Sequence, residues 1–240
     1  IDEDYTFIAD SNVGGEFMTP AQIRRIKKIA NIEWSRTLDD RIGISKEELK
    51  RKEREKIPTL PVVETLLADR EDQIIYRDKQ EVASKVSSND FKLKIPKNKY
   101  NMGEVYNLCI KRGTLTDEER FIINDHIVQT INMLETLPFP GHLKKVPEYA
   151  GGHHEKMDGT GYPRKLKRHE MSLPARIMAI ADVFDALSSK RSYKEAWDED
   201  RVLAELRDNA GSQLDAGLVA DFLSIHDPIK SIRSRYPDPD

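Results

Sequence analysis

The stretch Ala175-Arg176-Ile177-Met178-Ala179-Ile180-Ala181-Asp182-Val183-Phe184-Asp185-Ala186-Leu187 decides the fold class. It is opened by Ser172-Leu173-Pro174, a helix-start signal. Apolar residues lie on nearly every side of it, which predicts a helix buried among other helices. A carboxylate in the middle of such a helix, Asp182, must be paired, hydrogen-bonded or bound to a metal, because an isolated buried charge is costly. Asp185 follows three residues on, along the same face. A salt bridge to Arg176 or Arg191 and a bound metal ion are the two ways to satisfy these carboxylates.

Outward from this segment the pattern stays helical. Thr116-Asp117-Glu118-Glu119 is a capping box with acidic residues suited to a helix N-terminus, and Ile123, Ile127, Ile131 and Leu134 continue it as an amphipathic helix. Two more helices fit residues 198–208 and 215–225, separated by Ala210-Gly211, and the tail from Tyr236 is expected to fray. Toward the N-terminus, Thr19-Pro20-Ala21-Gln22 caps a helix whose apolar stripe is Ile23, Ile26, Ala30 and Trp34. Ser45-Lys46-Glu47-Glu48 caps another, whose charge run over residues 50–56 reads as a solvated face. Between residues 57 and 102 prolines at 58, 61 and 96 and the Ser87-Ser88-Asn89-Asp90 cluster point to loops, with Val62, Val63, Leu66, Leu67, Ile74, Ile75 and Tyr76 packing on neighbouring helices. The expected fold class is all-α with almost no strands, a helical bundle preceded by an irregular, partly helical segment. Its expected divisions are an N-terminal segment over residues 1–102, a helical domain over 103–228 and a tail over 229–240.

The 240 residues are 38% apolar and 34% charged, yet the net charge is only −3. That balance gives no basis for nonspecific binding to nucleic acid or to an anionic membrane surface. No apolar run has the length of a membrane span, and no secretory signal pattern opens the chain. The one cysteine, Cys109, forms no internal disulfide, which places the chain in a reduced compartment, expected to be the cytoplasm. The chain opens at Ile1 without a methionine, as a piece of a larger protein or a trimmed chain would.

Six histidines occur, at positions 126, 142, 153, 154, 169 and 226. His126 lies seven positions after Glu119 on the capped helix, where a histidine serves the core, the surface or a ligand set. His153-His154-Glu155 runs into the tight turn Asp158-Gly159-Thr160-Gly161-Tyr162-Pro163, placing two imidazoles beside a glycine-rich loop. Neutral imidazole is the commonest metal ligand. Arg191 and Lys194 follow the Asp182 helix, either as a basic helix end or as a planar fork and a point charge for phosphate.

These residues carry a resemblance. His153-His154-Glu155-Lys156-Met157-Asp158-Gly159-Thr160-Gly161-Tyr162-Pro163 is similar to the signature of the HD-GYP family, which hydrolyses cyclic di-GMP. The blocks Pro174-Ala175-Arg176-Ile177, Ala181 to Leu187 and Arg191-Ser192-Tyr193-Lys194 resemble that family's next blocks, and Leu115 to Glu119 with His126 resembles the one before. The likeness spans roughly residues 103–226. It implies a bundle of the HD-domain type with His126, His153, His154 and Asp182 as metal ligands. It makes Asp185 a water-orienting carboxylate, sets Gly161, Tyr162 and Pro163 beside the substrate, and gives Arg191 and Lys194 the substrate phosphate. The reaction it implies is hydrolysis of cyclic di-GMP or a related phosphodiester by a metal-activated water. Iron or manganese is the implied metal, although imidazole with carboxylate suits zinc as well.

The chain departs from the family pattern at its namesake His-Asp pair. Counting back about 28 residues from His126 reaches Lys97-Asn98, with Asn101 where a lysine belongs; Asn89-Asp90 also lacks the histidine. Two explanations follow. The pair lies upstream of Ile1 in a longer protein, as in similar proteins where a stretch like Gly14-Gly15-Glu16-Phe17-Met18 comes after it. Otherwise the site is degenerate and the chain is a nucleotide sensor or an interaction module. The intact downstream motifs favour the first. The expected partner is a cyclic dinucleotide, with no nucleic acid and no membrane; a homodimer and further domains of a larger protein remain open.

Overall fold

A computed structural model describes residues 1–78, 91–190 and 195–235. The chain divides into two compact units, Ile1–Ser87 with Lys94–Ile123 and Ser88–Leu93 with Asn124–Asp240. Among the described residues no helix is long and apolar enough to cross a membrane.

The first unit mixes short helices with three two-stranded antiparallel ribbons. Its helices are α1 (Asp2–Val13), α2 (Pro20–Ala30), α3 (Lys46–Lys52) and α4 (Glu104–Leu108). Its strands are β1 (Gly15–Phe17), β2 (Glu33–Arg36), β3 (Val62–Thr65), β4 (Ile74–Tyr76), β5 (Asn98–Asn101) and β6 (Arg112–Gly113), paired β1 with β6, β2 with β3 and β4 with β5. The capping box at Thr19 forms: its hydroxyl accepts from the Gln22 N–H at 3.3 Å, and the Gln22 side chain accepts from the Thr19 N–H at 2.8 Å. The apolar stripe is shorter than expected. α2 stops at Ala30, and Trp34 sits in β2 opposite Glu64. Val62 and Val63 enter β3, and Ile74, Ile75 and Tyr76 form β4, where the sequence reading had them packing on helices.

The basic run after Ser45 also differs from a simple solvated face. The side chain of Lys52 is only 11% exposed, and its ammonium lies 2.7 Å from Asp40 and 2.9 Å from Asp72. Arg36 forks onto Glu64 at 3.0 and 2.8 Å. Burial pushes the Asp40 carboxyl up, but the Lys52 hydrogen bond and charge outweigh it and leave the carboxyl below its ordinary range.

Helix α5 (Asp117–Glu135) begins in the first unit, and the unit boundary falls within it, after Ile123. The second unit continues with α6 (Val146–Gly151), α7 (Leu173–Ser188), α8 (Glu199–Asp208), α9 (Ala216–Ser224) and α10 (His226–Arg235). Helix α10 runs through positions 229–235, which the sequence reading assigned to a tail. One core packs Ala179 and Ile180 of α7 against Leu206, Leu214 and Val219, with Phe184 and Phe222 beside them. A second gathers Ile127, Val128 and Ile131 of α5 with Phe91, Leu93 and Tyr162. Buried Asp215 caps α9 and accepts hydrogen bonds from Arg168 at 2.8 Å and from Arg176.

Helix α7 corrects the expectation that opened the sequence reading. It is buried along Ala175, Ala179 and Ile180, but Leu173, Ile177 and Met178 are 51%, 49% and 41% exposed, and Asp182 and Asp185 are exposed as well. The helix is apolar all round, yet the described residues cover only one side. Asp182 therefore keeps access to solvent, and the desolvation argument does not apply to it.

Candidate metal centre

Two consecutive glycines at the end of α6 allow it to dock between α5 and α7. A Cβ on Gly151 would stand 2.7 Å from the Ile131 side chain, and one on Gly152 2.6 Å from Ala175 Cβ. Any larger residue would push α6 away from both helices. His153 and His154 leave α6 at this point, and His126 projects from α5.

The three rings converge. One ligand nitrogen from each of His126, His153 and His154 lies within 4.8 Å of the others, and the Nε2 atoms of His154 and His126 are 3.3 Å apart. His153 Nδ1–H donates to the Ala150 carbonyl at 2.7 Å, which fixes the tautomer and leaves Nε2 as a lone-pair donor. Burial, with the neighbouring His153 and His126 rings adding to it, holds the His154 pKa down to about 4. His154 is therefore neutral and ligand-competent at neutral pH. Among the described residues no carboxylate joins this cluster within the same distance. A site of convergent imidazoles fits a divalent transition ion.

The loop after His154 is fixed by its own backbone. Tyr162 N–H donates to the His154 carbonyl at 3.2 Å, and the Tyr162 ring stacks on the His154 ring at 4.8 Å with 21° between planes. At Gly161 a Cβ would come within 2.5 Å of Glu155 Cα, so the loop passes directly over the backbone of the histidine segment. Pro163 is fully buried, and its carbonyl accepts the Lys92 N–H at 2.7 Å. Burial raises the Tyr162 hydroxyl to about 12, and the negative charge of Asp182 adds to the shift.

Glu155 is the residue that sequence reasoning passed over. It is 2% exposed and accepts the N–H groups of Arg164 at 2.6 Å and Leu166 at 2.8 Å, tying the far end of the loop to the histidine pair. Burial pushes its carboxyl up, against the pull of those two amides. The available signal was a carboxylate inside a glycine-rich signature, with loop amides downstream needing an acceptor.

The structure thus brings together His126, His153, His154 and Tyr162, with Gly161 and Pro163 shaping the loop, while Asp182 lies exposed on α7. Arg176 is committed to Asp215, which leaves it out of the salt bridge considered for Asp182. Asp185 lies exposed on the same face of α7, one turn further. Arg191 and Lys194 lie outside the described residues.

Fold and site define a helical domain carrying a three-imidazole cluster suited to a divalent ion. The chain belongs to the HD-domain family, whose model matches residues 61–218, and its signature segment is of the HD-GYP type. It is 36% identical over 135 residues to a cyclic di-GMP phosphodiesterase of Vibrio cholerae serotype O1, covering 55% of this chain and 27% of that one. It is 42% identical over 106 residues to a 3'3'-cGAMP-specific phosphodiesterase of the same organism, covering 44% and 22%. A cyclic di-GMP phosphodiesterase of Thermotoga maritima is 34% identical over 133 residues, covering 55% and 36%. The chain therefore spans well under half the length of these curated relatives.

Proposed function

We propose that this chain is the metal- and loop-bearing part of a phosphohydrolase that cleaves cyclic dinucleotides, and that His126, His153 and His154 hold its divalent ion. The observation that carries this reading is the convergence of three imidazoles, with His154 and His126 nitrogens 3.3 Å apart. The activities for which the relatives are named favour cyclic di-GMP or 3'3'-cGAMP as substrate. Iron or manganese is the metal we favour, and a reduced compartment such as the cytoplasm its setting.

When bound, a divalent ion supplies an acidified water and neutralises charge on a phosphodiester. The chain's own residues do the rest. The hydrogen bond from His153 to Ala150 orients that ring, and the low pKa of His154 presents a lone pair without a proton to displace at neutral pH. Tyr162 walls the cluster on one side, and its hydroxyl keeps its proton, which makes it a donor for a phosphate oxygen. Asp182 serves as a further ligand and Asp185 as the carboxylate that orients water. Gly161, Tyr162 and Pro163 border the substrate. Arg191 and Lys194 complete the reading as phosphate contacts.

The test is elemental analysis of the chain purified without chelator, followed by incubation with iron or manganese and either cyclic dinucleotide at high protein concentration. Metal at one ion or more per chain, with linear product formed from one substrate, supports the reading. Metal bound without product, but with saturable nucleotide binding, would make the chain a sensor. No metal retained would remove the three histidines from a ligand role.

A further inference from the structure

Helix α10 packs by a stripe, His226, Ile229, Lys230 and Arg233, with almost no apolar burial, so discrete polar contacts hold it. Lys230 donates to Glu199 at 2.6 Å, and His226 lies 3.5 Å from the same carboxylate. The His226 ring stands edge-on to Phe184 at 6.2 Å. The Arg233 guanidinium lies 5.9 Å from the centre of the Phe184 ring and donates to the Ser188 carbonyl.

Those last two contacts fall on the terminal turn of α7. A helix leaves its final carbonyls without partners inside the helix, and their dipoles favour a cation. In α7 three groups fill them. Asp185 O accepts from Ser189 N–H at 2.9 Å, Leu187 O from Trp197 N–H at 3.0 Å, and Ser188 O from Arg233. Among the described residues, Arg233 is thus the contribution from a distant helix. It grips the chain on either side of Asp185, at Phe184 and at Ser188.

We infer that Arg233 is a positioning residue: it holds the last turn of α7 so that the Asp185 carboxylate stays aimed along the exposed face it shares with Asp182. This rests on the reading that Asp185 belongs to the hydrolytic site. Phe184 packs against the core beside Phe222 and Ser188 is buried, and Arg233 is the charged contact that α10 adds to this turn. The stripe on α10 then has a purpose that packing alone does not give it, since a helix so poor in buried apolar surface contributes little as core.

The test uses the full chain, loaded with manganese, as Arg233→Ala and Arg233→Lys. Hydrogen exchange at the Ser188, Ser189 and Lys190 amides should speed by about tenfold in Arg233→Ala, the effect of one lost hydrogen bond to a charged group, while amides of α5 and α8 keep their rates. Metal per chain should stay at the parent level. The kcat for a cyclic dinucleotide should fall more than KM rises, and Arg233→Lys should recover part of both changes. Exchange at these amides equal to the parent's overturns the inference, as does an equal acceleration across the whole unit, which would mark a stability role alone. If the parent chain hydrolyses nothing, the proposed function fails, and the exchange comparison by itself decides whether Arg233 holds the turn.

Discussion

The ion-pair knot around Lys52 in the first unit and the imidazole cluster around His154 in the second are both concentrations of titratable side chains, with opposite electrostatics. In the knot, Arg36, Lys52 and Arg70 face Asp40, Glu64 and Asp72 at separations of 2.7 to 3.8 Å, and every charge has its opposite. Such a group needs nothing from outside and fixes the register of the segments it joins. In the cluster the groups share one sign of need: three nitrogen donors converge, with no carboxylate among the described residues joining them within the same distance. A complementary set closes on itself, whereas a convergent set of like donors asks for a cation. Concentration of ionisable residues does not by itself mark a functional site; the absence of internal complement does.

The largest expected effect tests that contrast directly. Replacing His153 and His154 together with alanine should lower metal per chain by about tenfold or more, while Lys52→Met leaves it untouched. Equal metal in both variants, read by elemental analysis, would erase the distinction. Lys52→Met should instead destabilise the first unit by about 3 kcal/mol, because buried Asp72 loses its Lys52 ammonium and Asp40 keeps only the more distant Arg36 and Arg70. A urea midpoint unchanged from the parent would show the knot to be ornamental.

A third prediction uses pH. His154 titrates at about 4 in the fold against 6.5 in the unfolded chain, so between those values the unfolded chain binds the extra proton. Stability of the metal-free protein is therefore full above pH 6.5 and lost as pH falls toward 4, by about 2 kcal/mol after allowance for the ring's partial exposure. His154→Asn should flatten that part of the profile; an identical slope in the variant would assign it to other groups. The smallest effect is local. Thr116→Ala removes the cap of α5, where the Thr116 hydroxyl accepts the Glu119 N–H at 3.2 Å, and should cost about 1 kcal/mol without altering metal content.

Much of the second unit could be read from the sequence, because its signals are local. The caps at Ser172, Asp198 and Asp215 start helices where expected, each side chain accepting a backbone N–H in the following turn. The adjacent histidines beside a glycine turn declared themselves. His126 did not, since only the docking of α6 against Ile131 brings its ring to theirs. The ribbons of the first unit were missed for a related reason. Their strands run two to four residues, and partners such as Arg36 and Val62 are far apart along the chain, so no alternating run is long enough to show. Trp34 fitted a helical spacing and was carried into a strand by pairing with Glu64. Lys52 looked like one more cation in a charge run, because the carboxylates that enclose it lie at positions 40 and 72. Helix α10 escaped because its stripe is polar, and a period search weighs apolar residues.

The close pass of Gly161 over Glu155 has a practical consequence for anyone altering this loop. With no room for even a methyl group there, the strand of chain carrying Tyr162 and the strand carrying His154 behave as a single rigid casting. Thr160 next to it is exposed, whereas Gly161 itself is closed to substitution.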